Sequence, residues 1–214
     1  MDRRLAAVTG LALGAALLGI WLFSSHSHQH HAHASLAELD RTYLALAPSA
    51  PVTQVALSRT DGKAFSARSL EGRWSLVFFG FTSCPDVCPT ALQALSAVAK
   101  DARSGVASGA TQILFVSTDP ERDTPQRLVA YLDNFDKHIV GLRGDDAAVR
   151  RFADAAGAGY EKAGGKVDHS TSIFVIDPQG RVAGVLLRSS EPERIVTDLA
   201  ALQRNHGSPG TGTL

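Results

Sequence analysis

Residues 74–90 read WSLVFFGFTSCPDVCPT. Trp74 to Phe79 is a short apolar run without strict alternation, the pattern of a strand buried on both faces in the middle of a sheet. It leads straight into Cys84-Pro85-Asp86-Val87-Cys88-Pro89, which holds both cysteines of the chain. Beyond it, Leu92, Leu95, Val98 and Ala102 mark one face of a helix. Strand, cysteine loop and helix therefore follow one another. Two thiols four positions apart can act as a disulfide staple, a redox couple or two arms of a metal site. A loop this short restrains little of the unfolded chain, which weakens the staple. With Pro89 as the first helical residue, Cys88 falls near the N-cap, where unpaired N–H groups favour a thiolate; Asp86 acts against it.

Outward from this motif the chain alternates strands and helices. Gln54–Leu57 and Ala64–Phe65 flank Thr60-Asp61-Gly62-Lys63, a hairpin signal. Gln112–Ser117 reads as a second buried strand. Thr124 offers an N-cap and Pro125 suits the first helical position; Leu128, Val129, Leu132 and Phe135 form that helix's apolar stripe. A strand follows at Ile139–Leu142. Asp145 then caps a helix that buries Val149 and Phe152 and stops at Gly157. Ser172–Ile176 and Val182–Leu187 flank Asp177-Pro178-Gln179-Gly180, a type I turn signal. Ser190 and Glu193 suit a capping box for a last helix burying Ile195, Val196, Leu199 and Leu202. The fold class is α/β, with parallel strands first and an antiparallel hairpin last, the thioredoxin-like arrangement, led by an N-terminal β-hairpin. This domain is placed at 51–204, with a disordered tail at 205–214.

The first fifty residues differ. Leu5 to Phe23 carries no charge over 19 residues. As a helix it would span roughly 28 Å, close to a bilayer's hydrocarbon core. Arg3 and Arg4 precede it, so residues 1–4 are expected in the cytoplasm and the remainder outside. Ala32-His33-Ala34 has the form of a signal-peptide cleavage site, but it stands well beyond an apolar run longer than a signal core, so an uncleaved anchor over 5–23 is the expectation. No transit-type segment precedes the anchor, which points to a bacterial inner membrane with the domain in the periplasm. Residues 24–50 form a tether. Five of the eight histidines, His26, His28, His30, His31 and His33, lie in it. It reads either as a solvated spacer or as an auxiliary metal-collecting tract. Lys+Arg and Asp+Glu balance at 21 each, which gives no electrostatic reason to expect nucleic acid.

Thioredoxin-type oxidoreductases separate their cysteines by two residues; here there are three. They also set a proline opposite the cysteines, whereas this chain has none between Pro125 and Pro178. Ahead of strand Ser172–Ile176 it reads Val167-Asp168-His169-Ser170-Thr171 instead. Two soft thiolates with one imidazole suit copper and are too few for a closed zinc site. A peroxiredoxin-like peroxidase needs a threonine three residues before its attacking cysteine; position 81 is Phe, and Thr82 is one residue too close.

Three segments in this order, Cys84-Pro85-Asp86-Val87-Cys88-Pro89-Thr90, Asp119-Pro120-Glu121-Arg122-Asp123-Thr124-Pro125 and Val167-Asp168-His169-Ser170, resemble the Sco/SenC family of membrane-anchored copper proteins of cytochrome c oxidase assembly. The likeness runs over about Pro51 to Leu202. It implies a thioredoxin-like domain in which Cys84, Cys88 and His169 hold one copper, Cu(I) or Cu(II). It implies delivery to the CuA centre of oxidase subunit II, or reduction of that centre's cysteines. Other copper chaperones and thioredoxin-like reductants are further implied partners. The implied role is a metallochaperone, not a turnover enzyme, with thiol–disulfide reduction of partner proteins as the alternative. Asp119, Asp123 and Asp168 are candidates for tuning the site from behind the ligands, or for shaping its loops. Tyr160 to His169 is shorter here than the corresponding loop of many relatives.

Overall fold

The computed structural model describes residues 43–46, 50–158, 160–163, 166–169, 172–187 and 190–207. The anchor expected at 5–23 and the histidine tract lie outside these residues, as do residues 208–214 of the tail. Among the described residues no helix is long and apolar enough to cross a membrane.

Ten strands and four α-helices are described: β1 (Tyr43–Ala45), β2 (Ala56–Arg59), β3 (Ala64–Ser66), β4 (Trp74–Gly80), α1 (Val87–Lys100), β5 (Thr111–Ser117), α2 (Pro125–Leu132), β6 (Ile139–Arg143), α3 (Asp146–Ala156), β7 (Tyr160–Ala163), β8 (Lys166–His169), β9 (Ile173–Ile176), β10 (Val182–Leu186) and α4 (Pro192–Gly207). Eight strands form one sheet in the order β1-β10-β9-β4-β5-β6-β2-β3. β4, β5 and β6 run parallel. β9 pairs antiparallel with β4, and the β9–β10 hairpin follows. The expected α/β order is thereby realised.

β4 is central because both of its faces are apolar. Leu76 and Phe78 pack into one core with α1, α2 and α4. Val77 and Phe79 pack into a second core with α3 and the β2–β3 hairpin. All four are essentially inaccessible to water. Each such side chain contributes roughly 1.5–3 kcal/mol relative to exposure, which leaves no freedom to shift the strand by one residue.

Several caps match their sequence signals. Thr124 accepts from Arg127 N–H at the start of α2, with Pro125 in first position. Asp145 accepts from Ala148 N–H at 2.6 Å, and Gly157 ends α3 in the left-handed conformation. Asp177 closes its turn by accepting from Gly180 N–H at 2.9 Å through its carbonyl.

The structure corrects other expectations. β1, from the stretch read as tether, pairs with β10 and covers the sheet edge. Tyr160 to His169 is no irregular loop but a two-stranded antiparallel sheet, with Tyr160 opposite His169. α1 stops at Lys100, and Ala102 is exposed in a short 3-10 turn. Val129 is exposed, because the core-facing stripe of α2 runs through Leu128, Tyr131 and Leu132; the helix ends at Leu132, so Phe135, expected within it, packs against the core from the segment beyond. Glu191 accepts from Ile195 N–H, so Pro192 takes the first position of α4 and the Ser190–Glu193 capping box is out of frame by one residue. Asn205 to Gly207 belong to α4, where a tail was expected.

Candidate metal site

The C-terminal ends of the parallel strands β4 and β5 meet at one edge of the sheet. Thr118 N–H donates to the carbonyl of Gly80 at 2.8 Å and ties these ends together. β9 starts at Ile173, directly opposite Phe78, so the chain coming from β8 also arrives at this edge. Crevices beyond the carboxyl ends of parallel strands are the usual location of sites in such sheets.

Both cysteines lie here. Beyond β4 the backbone turns, with Cys84 N–H donating to Phe81 carbonyl at 3.2 Å. Asp86 is the N-cap of α1, without a side-chain cap bond. The helix starts at Val87, earlier than the prolines suggest, so Cys88 is its second residue. Pro89 stands third, where its missing N–H leaves no intrahelical bond unmade. Cys88 N–H donates to Cys84 Sγ at 3.4 Å. The two cysteines form no disulfide and both are buried; Cys84 keeps 8% of its surface exposed and Cys88 none. Cys84 is thus the less enclosed of the two residues.

Burial pushes the Cys88 thiol well above its ordinary value. A backbone hydrogen bond from Phe81 opposes the rise, while Cys84 and Asp123 add to it. Desolvation of the charged form therefore outweighs the helix N-terminus that was expected to favour a thiolate. Gly80 makes room for this thiol: a Cβ there would stand 2.9 Å from both Cys88 Sγ and the Phe115 ring.

Asp123 secures the loop ahead of the cysteines. Its fully buried carboxylate accepts from Thr82 N–H at 3.1 Å, from Thr82 hydroxyl at 2.5 Å and from Ser117 hydroxyl at 2.6 Å. Arg127 Nε donates to Thr82 Oγ1 at 2.8 Å. Arg143 holds the loop that carries Asp123, by donating to the carbonyls of Asp123 and Pro120 at 3.2 and 3.1 Å. Asp119 is also buried, and its carboxylate is engaged by Arg122. Both carboxylates therefore shape the loops that frame the thiols.

Asp168 and His169 are placed on β8, opposite Glu161 and Tyr160. Their side chains lie outside what is described. Among the described residues no three of His, Cys, Asp and Glu converge to hold a metal, so the two thiols are the metal-competent pair on view. Sequence reasoning passed over Gly80, Ser117, Arg127, Tyr131 and Arg143, and weighed Thr82 only as the threonine of a peroxidase. Thr82 sits inside the quoted motif, and Tyr131 completes the i, i+3, i+4 stripe of α2. The two arginines carry no local signal, since their partners are backbone and side-chain oxygens distant in sequence.

A thioredoxin-like α/β sheet with two cysteines, not joined in a disulfide, at the carboxyl edge of its central strand defines the class of protein. The SCO1/SenC family model matches residues 47–204, and the chain belongs to that family. It is 31% identical over 202 residues to the mitochondrial SCO2 homolog of Homo sapiens, an alignment covering 88% of this chain and 71% of the human protein. The structure of Bradyrhizobium japonicum ScoI with copper bound is 36% identical, with a TM-score of 0.60, over 73% of this chain and 99% of that one. Apo Sco1 of Thermus thermophilus is 34% identical, with a TM-score of 0.63, over 73% of this chain and 93% of that one.

Proposed function

We propose that this chain is a membrane-anchored copper metallochaperone, in which Cys84, Cys88 and His169 hold one copper, Cu(I) or Cu(II). The observation that carries the reading is the pair of buried cysteines, not joined in a disulfide and linked by the Cys88 N–H···Cys84 Sγ bond, in a family with a copper-bound relative. The donors fit the metal. Thiolates are soft ligands that select Cu(I), and imidazole accepts either oxidation state. Burial keeps Cys88 protonated in the absence of a cation, so binding must displace a proton, and affinity rises with pH. His169 enters as ligand because its strand leads to β9, whose first residue faces the end of β4.

The CuA centre of oxidase subunit II is the recipient, reached from a bacterial inner membrane with the domain in the periplasm. This rests on the Sco/SenC motifs, the apolar run 5–23 and its flanking arginines. The tract His26, His28, His30, His31 and His33 serves as an auxiliary collector of metal, since clustered imidazoles bind copper without a fixed geometry.

The test uses the reduced chain from Ala34 onward, free of the tract and of any affinity tag. Loading with Cu(II) is expected to give one copper and a thiolate-to-copper charge-transfer band. Cys84→Ser or Cys88→Ser abolishes the band, and His169→Ala shifts it and weakens binding. Full stoichiometric copper in the double cysteine variant would sink the reading. The second reading, a thiol–disulfide reductase, needs only the cysteines and is favoured by the partial exposure of Cys84 beside the buried Cys88. Reductase activity that survives His169→Ala, in a protein that holds no copper, decides for it.

A further inference from the structure

Arg127 is held differently from the arginines that pair with acids. Arg59, Arg103, Arg122, Arg150 and Arg181 each meet a carboxylate. Arg127 is exposed on α2, and its Nε donates to the neutral hydroxyl oxygen of Thr82 at 2.8 Å. Among the described residues no carboxylate pairs with this guanidinium. The bond matters because of where Thr82 stands. It lies two positions before Cys84, in the turn that Cys84 N–H closes on the Phe81 carbonyl at 3.2 Å. Its N–H and its hydroxyl both donate to the buried Asp123, at 3.1 and 2.5 Å. The hydroxyl proton is therefore committed inward, and Arg127 fills the acceptor side of the same oxygen. Ser117 and Asp123, the inner members of this chain of bonds, are fully buried; Arg127 is its exposed end. A hydroxyl offers a guanidinium one neutral acceptor atom. A carboxylate takes two parallel N–H bonds and carries the opposite charge, so it is the stronger partner.

We propose that Arg127 is the outer latch of the cysteine loop and the docking point for a carboxylate of the protein that receives the metal. That carboxylate draws the guanidinium off Thr82, and the loop ahead of Cys84 loosens when the recipient is in place. Arg127 is thus a positioning residue, acting on the cysteines through Thr82. The inference deepens the proposed function and rests on its reading of Cys84 and Cys88 as the pair that holds the metal.

The experiment uses the full chain, reduced, metal-free and purified in mild detergent, as wild type, Arg127→Met and Gln126→Ala. Hydrogen exchange is followed by mass spectrometry in the segment from Phe81 to Val87. The probe for the partner's carboxylate is a hexaglutamate peptide at millimolar concentration, with ionic strength held constant by NaCl. Arg127→Met is expected to speed exchange in this segment about fivefold, the effect of one exposed charged contact on a local opening. Gln126→Ala, its exposed neighbour, stays within about twofold. Hexaglutamate is expected to bring the wild type most of the way to the rate of Arg127→Met and to leave Arg127→Met itself unchanged. Hexalysine at the same ionic strength alters neither. Exchange of Arg127→Met at the wild-type rate overturns the proposal. So does a wild type indifferent to hexaglutamate, which would make the contact a fixed brace, and so does an equal response of Arg127→Met to the peptide. A wild-type chain that binds no copper counts against the copper reading, and the metal-free exchange rates still decide the latch.

Discussion

Cys88 N–H donates to Cys84 Sγ across 3.4 Å, so the helix carrying one thiol also holds the other. This single contact converts a spacing in the sequence into a paired site. Both residues are buried, Cys88 completely and Cys84 with 8% of its surface exposed. If the pair holds copper as proposed, both thiols must give up their protons as it binds.

Gly80→Ala tests how tightly that inner sulfur is packed. The added methyl would stand 2.9 Å from Cys88 Sγ and from the Phe115 ring, and both are fully buried. We expect a loss of about 1–3 kcal/mol in denaturant unfolding. The charge-transfer band of the Cu(II) form should also shift, because the thiol must move. Wild-type stability would show that the edge of the sheet relaxes freely.

Asp123→Ala removes the acceptor for Thr82 N–H, Thr82 hydroxyl and Ser117 hydroxyl together. Leaving buried donors unpaired costs about 2–4 kcal/mol in total, readable by urea unfolding. The loop ahead of Cys84 should also loosen, so amide exchange at Thr82 and Cys84 accelerates. Asp119→Ala, whose carboxylate pairs with a half-exposed arginine, should cost less.

The raised Cys88 thiol makes the metal-free protein sensitive to alkali. Its pKa is elevated by burial above the ordinary 9.0. As pH climbs past about 9 the unfolded chain releases this proton while the folded chain retains it, so stability falls with rising pH. Below that value the contribution is fully present. Thermal unfolding between pH 7 and 10 should show the decline, and Cys88→Ala should flatten it.

Trimming the chain to begin at Pro51 removes β1. Tyr43, Leu44 and Ala45 pair with Leu186, Val185 and Gly184, and without them β10 becomes an open edge. We expect a lower melting temperature and concentration-dependent association by light scattering, since an unpaired apolar edge templates strand addition. A chain starting at Ala34 keeps the edge covered and stays monodisperse.

Much of the scaffold was legible because its signals are local. The apolar run 74–79 could only be a strand buried on both faces, and Thr124-Pro125, Asp145 and Gly157 carry their caps in their own side chains or backbone freedom. The two cysteines and their place after the central strand were equally plain, and with the Sco/SenC motifs they were enough to name the family. The stretches that escaped depend on partners far along the chain. Tyr43–Ala45 becomes a strand only because β10 offers an edge to pair with. Tyr160 to His169 has no apolar period, yet it folds back on itself as a hairpin.

The sequence by itself determined which reactive atoms this edge of the sheet carries, the two thiols of Cys84 and Cys88, because atom type is a property of each residue alone. The tertiary structure decided their state. Desolvation against Phe115 and Gly80 sets the ionisation of Cys88, and Asp123, reaching across 41 positions to Thr82, sets the shape of the loop that leads to Cys84. Charge state and loop geometry depend on what surrounds a group in space, and only the folded chain brings those surroundings together.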